Sequence, residues 1–154
     1  MDLKTFANRI QKLNINAILK RVFQNSDVKE FVIEKNQEQL YNYGQDAKGK
    51  DLKTYAALGG RVYGNYTIQQ KQLKGQPTDR VTLKDTGKFY DTFKVGVQSE
   101  YAEIKANFKV HGEDISLNVD TDNVLGLQAE NMPLLIQKIK PYFIKEFKEK
   151  LLGK

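Results

Sequence analysis

Apolar and polar residues alternate in three short runs between residues 93 and 119. A period of two places every second side chain on the same face, so each run predicts a strand with one buried face. Between the second and third runs, residues 111–114 predict a tight hairpin turn in which Gly112 takes a positive φ. The pattern therefore predicts an antiparallel meander. Its inward positions are Phe93, Val95 and Val97, then Ile104, Ala106, Phe108 and Val110, then Ile115, Leu117 and Val119.

Helical spacing marks both ends of the chain. Near the N-terminus, apolar residues recur every three or four positions, and Asn25, Ser26 and Asp27 offer caps for a further helix. Near the C-terminus, Asn131 is a candidate cap, and Pro141 predicts a kink or a restart because it removes one hydrogen-bond donor. The apolar positions are Leu3, Phe6, Ile10 and Leu13, then Val28, Phe31, Val32, Leu40 and Tyr43, and finally Leu135, Ile139, Phe143, Phe147 and Leu151.

A sheet with one apolar face and helices with one apolar stripe each close into a two-layer α+β domain. We therefore expect a single domain over residues 1–154. Residues 1–43 are predicted helical, 44–80 form an extended arm, 81–123 hold an antiparallel sheet of three to four strands, and 124–154 hold a C-terminal helix.

The predicted arm keeps neither period for long, and six of the eleven glycines of the chain lie in it. Glycine raises the entropic cost of ordering a segment, so we expect this long glycine-rich arm to fold against a partner. Tyrosine provides a large contact area at low entropic cost, and a solvated linker has no need of it. The arm residues predicted to bind the partner are Tyr55, Leu58, Tyr63, Tyr66 and Lys71.

The amino-acid composition excludes several kinds of functional site. The chain has no cysteine, which excludes disulfides, thiolate metal sites and cysteine nucleophiles, and it has a single histidine. The net charge is +6, and residues 44–80 carry seven basic against three acidic residues. Such an uneven field attracts nucleic acid or an acidic partner. No run approaches a membrane span and the N-terminus lacks the apolar core of a signal peptide, so we expect no membrane partner.

Three patterns suggest catalytic or metal chemistry, and each has a simpler interpretation. Residues 44–51 match the start of a phosphate-binding loop, but Asp51 stands where that loop needs a hydroxyl, and no buried strand precedes it. The acidic pairs Glu113–Asp114 and Asp120–Asp122 lie at strand ends, where acids are common in turns, and they lack the other oxygens of a calcium loop. His111 is expected to be exposed in its turn. The sequence thus predicts no catalytic residue, no metal and no cofactor.

One stretch carries a family resemblance. The chain reads Gln39-Leu40-Tyr41, Gly44-Gln45-Asp46 with Gly49, then Tyr55, Thr67, Lys71 and Gly75-Gln76, and then Val81-Thr82-Leu83-Lys84-Asp85-Thr86-Gly87-Lys88-Phe89 followed by Phe93. This order resembles the small virion-morphogenesis, or tail-completion, proteins of tailed bacteriophages, which are related to the minor tail components of lambdoid phages. In that family, a leucine-x-x-threonine-glycine-x-hydrophobic element opens the sheet after a glycine-rich loop. The corresponding residues here are Leu83, Asp85, Thr86, Gly87 and Phe89.

The resemblance implies a non-enzymatic α+β subunit of the virion, assembled in the cytoplasm of a bacterial host. It implies a homo-oligomeric ring at the head–tail junction or the upper end of the tail, in contact with neck, portal or tail proteins. In this hypothesis the arm 44–80 folds as the ring forms. The alternative is a basic accessory protein that binds nucleic acid, and non-specific DNA contact is compatible with both. A third hypothesis is an enzyme that holds a metal on Asp120 and Asp122.

Overall fold

The computed structural model describes residues 1–55 and 62–153. Five α-helices lie in these ranges: α1 Leu3–Gln11, α2 Ile15–Gln24, α3 Ser26–Glu38, α4 Asn65–Leu73 and α5 Met132–Leu152. Four short strands accompany them: β1 Lys94–Val97, β2 Ala102–Lys105, β3 Lys109–Val110 and β4 Glu113–Asp114. A π-helical turn at Gln39–Tyr43 extends α3, and 3₁₀ turns occupy Tyr90–Thr92, Ile115–Leu117 and Ala129–Asn131. The α+β class predicted from the sequence is confirmed.

The N-terminal 43 residues are helical, as predicted, and asparagines set the helix boundaries. The side chain of Asn14 accepts a hydrogen bond from the Ala17 amide at the start of α2. Asn25 does the same for the Asp27 amide at the start of α3. Each side chain satisfies an amide that the first helical turn leaves without a partner, which is why a new helix begins there.

The sheet is smaller than the predicted meander of three to four strands. Within the described ranges, β1 pairs with β2 and β3 pairs with β4, as two separate antiparallel hairpins. The third predicted strand is wrong, because residues 115–117 form a 3₁₀ turn. The Asp114 carboxylate accepts hydrogen bonds from both the amide and the hydroxyl of Ser116 and so bends the chain. The predicted turn is confirmed, since His111 and Gly112 have φ angles of 53° and 78°.

The C-terminal helix also differs from its prediction at one point. Pro141 lies inside α5, a continuous helix of 21 residues, so the chain does not restart there. Pro141 is exposed, and Ile139 and Phe143, two residues before and after it, pack against the core. We attribute the continuity to this packing, which holds the helix together although one backbone hydrogen bond is lost.

Two apolar clusters form the core. The first lies among the helices and joins Ile18, Val22 and Val28 with Ile139, Tyr142, Phe143 and Phe147 of α5. The second joins Leu40, Leu52, Tyr63, Val81, Phe89, Phe93, Val119 and Val124. Two members of the second cluster, Leu52 and Tyr63, belong to the segment 44–80. The same segment contains helix α4. It is therefore folded into the core in part, which corrects the prediction of an extended arm.

Two buried amide side chains connect the helices to the loop before α5. The Nδ2 of Asn36 donates to the carbonyls of Val124 and Gly126, each at 3.0 Å. The Nε2 of Gln39 donates to the Gly126 carbonyl at 2.7 Å, and its Oε1 accepts from the Gln128 amide. Because buried carbonyls need donors, these two side chains fix the course of the loop.

Candidate functional site

A groove of about 610 Å³ runs between α4, the segment 81–89 and the β3–β4 hairpin. Its floor is apolar, since the buried side chains of Val81, Phe89 and Val119 line it. Lys71 of α4 lines one wall, and Lys84, Lys88 and His111 line other parts of it. An apolar cleft of this size with a few polar groups is the usual form of a ligand-binding site.

Tyrosine hydroxyls position the segment 81–89. The fully buried Thr82 donates its backbone N–H to the Tyr63 hydroxyl at 3.0 Å, and its carbonyl accepts from the Tyr90 hydroxyl at 2.5 Å. Burial raises the pKa of both phenols. The two tyrosines therefore stay protonated at neutral pH and hold the backbone of Thr82 from both sides.

Leu83, the next residue along this segment, has a φ of 53°. A leucine in the left-handed region is uncommon and costs conformational energy. The side chain of Leu83 lines the groove and packs against the second core cluster. The surrounding contacts therefore hold a strained backbone at the edge of the groove, a feature that clusters at functional sites.

Lys71 is the buried cation of the groove, with 6% of its surface exposed. Its Nζ donates to the Lys84 carbonyl at 2.8 Å, to Thr82 Oγ1 at 3.2 Å and to Gln76 Oε1 at 3.3 Å. It also lies 5.1 Å from the centre of the Tyr63 ring. Burial lowers the pKa of the Lys71 ammonium below its ordinary value, because removal from water disfavours the charged form.

The charged groups around Lys71 are already engaged. Asp85 forms an ion pair with Lys74, which lies about one helical turn after Lys71. The ammonium of Lys84 lies over the rings of Tyr41 and Tyr90, 4.8 Å and 5.8 Å from their centres. Asp85 attracts the Lys71 charge and Lys74 repels it. The attraction of Asp85 is the stronger of the two, but burial outweighs it, so the pKa of Lys71 stays below its ordinary value.

The structure separates the predicted arm residues into different environments. Tyr63 and Lys71 are buried and line the groove. Tyr55 is exposed and lines a smaller cleft of about 350 Å³, which Asp120 and Asp122 also line. Tyr66 is exposed on α4. Leu58 lies outside the described residues.

The five residues of the short family motif lie together. Leu83, Asp85, Thr86, Gly87 and Phe89 all line the same groove as Tyr63 and Lys71. Gly87 has a φ of 90°, which glycine adopts without strain. Two sets of residues that sequence analysis treated separately therefore form one site.

The acidic pairs and the segment 44–51 have local structural roles. The buried Asp46 carboxylate accepts from the amides of Lys48 and Lys50, at 2.8 Å and 2.9 Å, and so closes a tight loop. Asp120 accepts from the Asp122 amide in the same way. Among the described residues, no group of three or more histidine and acidic side chains is placed to hold a metal ion. Nor is any helix in those ranges long and apolar enough to cross a membrane.

The sequence pattern alone does not reveal the acceptors that hold Lys71. Gln76 and Thr82 belong to the family pattern, but nothing in their spacing predicts that they accept hydrogen bonds from Lys71. Thr82 lies between the apolar residues Val81 and Leu83, and this position is the one sequence feature that indicates a buried threonine. Its contact with Lys71 arises only when α4 packs against the segment 81–89.

No protein-family model matches the chain, and no curated protein or solved structure matches it.

Proposed function

We propose that the chain is a non-enzymatic structural subunit of a tailed-bacteriophage virion, which assembles with copies of itself into a ring at the head–tail junction or in tail completion. In this role it would be made in the cytoplasm of the bacterial host and would contact neck, portal or tail proteins. The observation that carries the proposal is the apolar surface exposed on two helices.

The first exposed surface, the α4 patch, consists of Tyr66 and Leu73. These side chains are 74% and 82% exposed, and their spacing of seven residues places them on the same side of the helix. The second, the α5 patch, consists of Met132 and Ile136 at the start of α5, which are 40% and 62% exposed and four residues apart, on the same side of the helix. Exposed apolar patches of this kind are typical of interfaces between protein subunits.

The two patches belong to different parts of the fold. Helix α4 packs through Ile68 on the second core cluster, whereas α5 packs through Ile139 on the first. A ring needs two different surfaces on each subunit, because every copy contacts its two neighbours head to tail. We therefore assign the ring contact to the α4 patch of one copy and the α5 patch of the next.

The resemblance in sequence supports the same class of protein. Lys71 and Lys74, at the C-terminal end of α4, donate hydrogen bonds to Lys84 and Asp85 in the motif segment, so this segment is joined to the helix that carries the α4 patch. The tyrosines at the surface, Tyr55 and Tyr66, suit an interface because they bury a large area at low entropic cost.

Mass measurement and electron microscopy test the proposal. The wild-type protein is expected to give annular particles and a mass that is a multiple of the chain mass. The double variant Tyr66→Ser/Leu73→Ser should be monomeric and still folded, because both side chains are exposed. Leu117→Ser is the matched control, since Leu117 is also exposed but lies outside both patches. This control should assemble normally.

A mixing experiment tests the head-to-tail arrangement. Ile136→Asp removes the α5 patch, and Tyr66→Ser/Leu73→Ser removes the α4 patch. Each variant alone should be monomeric, but an equal mixture should form heterodimers, because each partner keeps one intact surface. A wild-type protein that stays monomeric at every concentration would refute ring assembly. Heterodimers that fail to form would refute the assignment of the two patches.

The alternative, a basic nucleic-acid-binding protein, is favoured by the exposed lysines Lys140, Lys145, Lys148 and Lys150 on α5. Counterion release predicts that DNA affinity falls steeply as salt rises. A gel-shift titration at two salt concentrations, with light scattering in parallel, distinguishes the two functions. A monomer that binds DNA in a salt-sensitive way would favour the alternative.

A further inference from the structure

Lys71 forms no ion pair among the described residues, and Asp85, the acid that acts on its charge, is itself paired with Lys74. The ion pairs among the described residues join other side chains, and the acceptors around Lys71 Nζ are a carbonyl, a hydroxyl and an amide oxygen. Neutral acceptors satisfy the three N–H groups, and the attraction of Asp85 compensates the charge only in part, because Asp85 is shared with Lys74. A buried charge is costly unless an opposite charge is near, so the site favours an anion beside Lys71.

The groove next to Lys71 provides room for such an anion. Its volume of about 610 Å³ falls in the range of small-molecule sites. The floor of Val81, Phe89 and Val119 offers an apolar contact surface. The strained backbone of Leu83 lies along it, and strain of this kind persists where the surroundings hold a site in shape.

We propose that this groove binds a small amphipathic carboxylate, whose apolar body lies on the floor and whose carboxylate accepts a hydrogen bond from Lys71 Nζ. The bonds from Nζ to Thr82 Oγ1 and Gln76 Oε1, at 3.2 Å and 3.3 Å, are its two longer ones, and the carboxylate replaces one of them. One buried cation matches one negative charge, whereas a phosphate monoester brings nearly two. The site does not depend on ring assembly.

Titration with octanoate, followed by amide chemical shifts in ¹⁵N-labelled protein, tests the proposal, and 1-octanol serves as the uncharged analogue. Octanoate is expected to shift amides in residues 81–89 and 110–119. It should bind about tenfold or more tightly than octanol, because a hydrogen bond to a charged group is worth at least that factor. Shifts confined to other surfaces, equal binding of the two ligands, or no binding at millimolar concentration would each overturn the proposal.

Lys71→Met isolates the charge. The octanoate-to-octanol preference should fall to about one in this variant, whereas Lys71→Arg should keep a preference. Lys20→Met is the matched control, because Lys20 is an exposed lysine of α2 outside the groove, and it should behave as wild type. A Lys71→Met protein that keeps the preference would refute the role of Lys71. If that variant does not fold, the wild-type shift map and ligand preference decide the outcome.

The two proposals fail separately. The Tyr66→Ser/Leu73→Ser variant should still bind octanoate, because neither side chain lines the groove. A short acidic peptide that occupies the groove while octanoate does not would instead indicate a protein ligand and refute the small-molecule site.

Discussion

Replacing Tyr63 by phenylalanine tests whether the segment 44–80 is folded in the free chain. The substitution removes only the hydroxyl that accepts from the Thr82 amide at 3.0 Å. Thr82 is fully buried and Tyr63 is 8% exposed, so water has little access to replace the lost acceptor. A buried N–H without a partner costs about 1–3 kcal/mol, and we expect the free energy of unfolding to fall by that amount.

Urea unfolding of the dilute monomer, followed by circular dichroism, measures the change. With a urea dependence of about 2 kcal/mol per molar, the midpoint should fall by about 0.5–1.5 M. Tyr66→Phe is the matched control, because it removes the same atom from a residue that is 74% exposed. Its free energy of unfolding should stay within about 0.5 kcal/mol of wild type.

Equal midpoints for Tyr63→Phe and wild type in the dilute monomer would refute this reasoning. That result would mean that Tyr63 does not pack against Thr82 until copies of the chain meet. The original hypothesis of an arm that folds on assembly would then be restored. A lower midpoint for Tyr63→Phe alone would instead place the folding of this segment before assembly.

Three further substitutions test the packing around the site. Gly44→Ala should destabilise the fold more than Gly49→Ala, as measured by thermal unfolding of the two variants. Both glycines have a positive φ, but a Cβ on Gly44 would lie 2.8 Å from the Cβ of Arg80, whereas Gly49 faces open space. Asn36→Ala should cost about 1–3 kcal/mol in urea unfolding, because the buried Val124 carbonyl loses its donor, whereas the Gly126 carbonyl keeps the Nε2 of Gln39. Burial lowers the pKa of Lys71 in the folded state, so the unfolded state binds this proton more tightly. The buried charge therefore lowers the free energy of unfolding at a pH below the folded pKa, and this loss becomes smaller as the pH rises toward 10.5. The stability of wild type relative to Lys71→Met should therefore rise as the pH approaches 10.5, and an unchanged difference up to that pH would contradict a buried, charged Lys71.

The sequence failed most clearly in the segment 44–80. Helix α4 has few apolar residues, and its two most exposed ones, Tyr66 and Leu73, lie on the side away from the core. No amphipathic stripe was therefore there to detect. The six glycines of the segment suggested an extended arm, but a glycine count measures the cost of ordering and not the contacts that repay it.

The local sequence pattern also predicted a strand that the sheet does not contain. The alternation of Ile115, Leu117 and Val119 is typical of a strand, yet Asp114 caps a 3₁₀ turn at that point. A side-chain hydrogen bond over two residues outweighed the period of the apolar positions.

The sequence alone determined the features that depend on neighbouring residues: the N-terminal and C-terminal helices, the turn at Gly112 and the lack of cysteine chemistry. Tertiary structure decided that Tyr63 and Lys71 meet the segment 81–89 in one groove. The physical reason is range. Periodicity and capping act within a few residues, whereas Lys71 reaches Thr82 and Lys84 only because α4 packs against the segment 81–89.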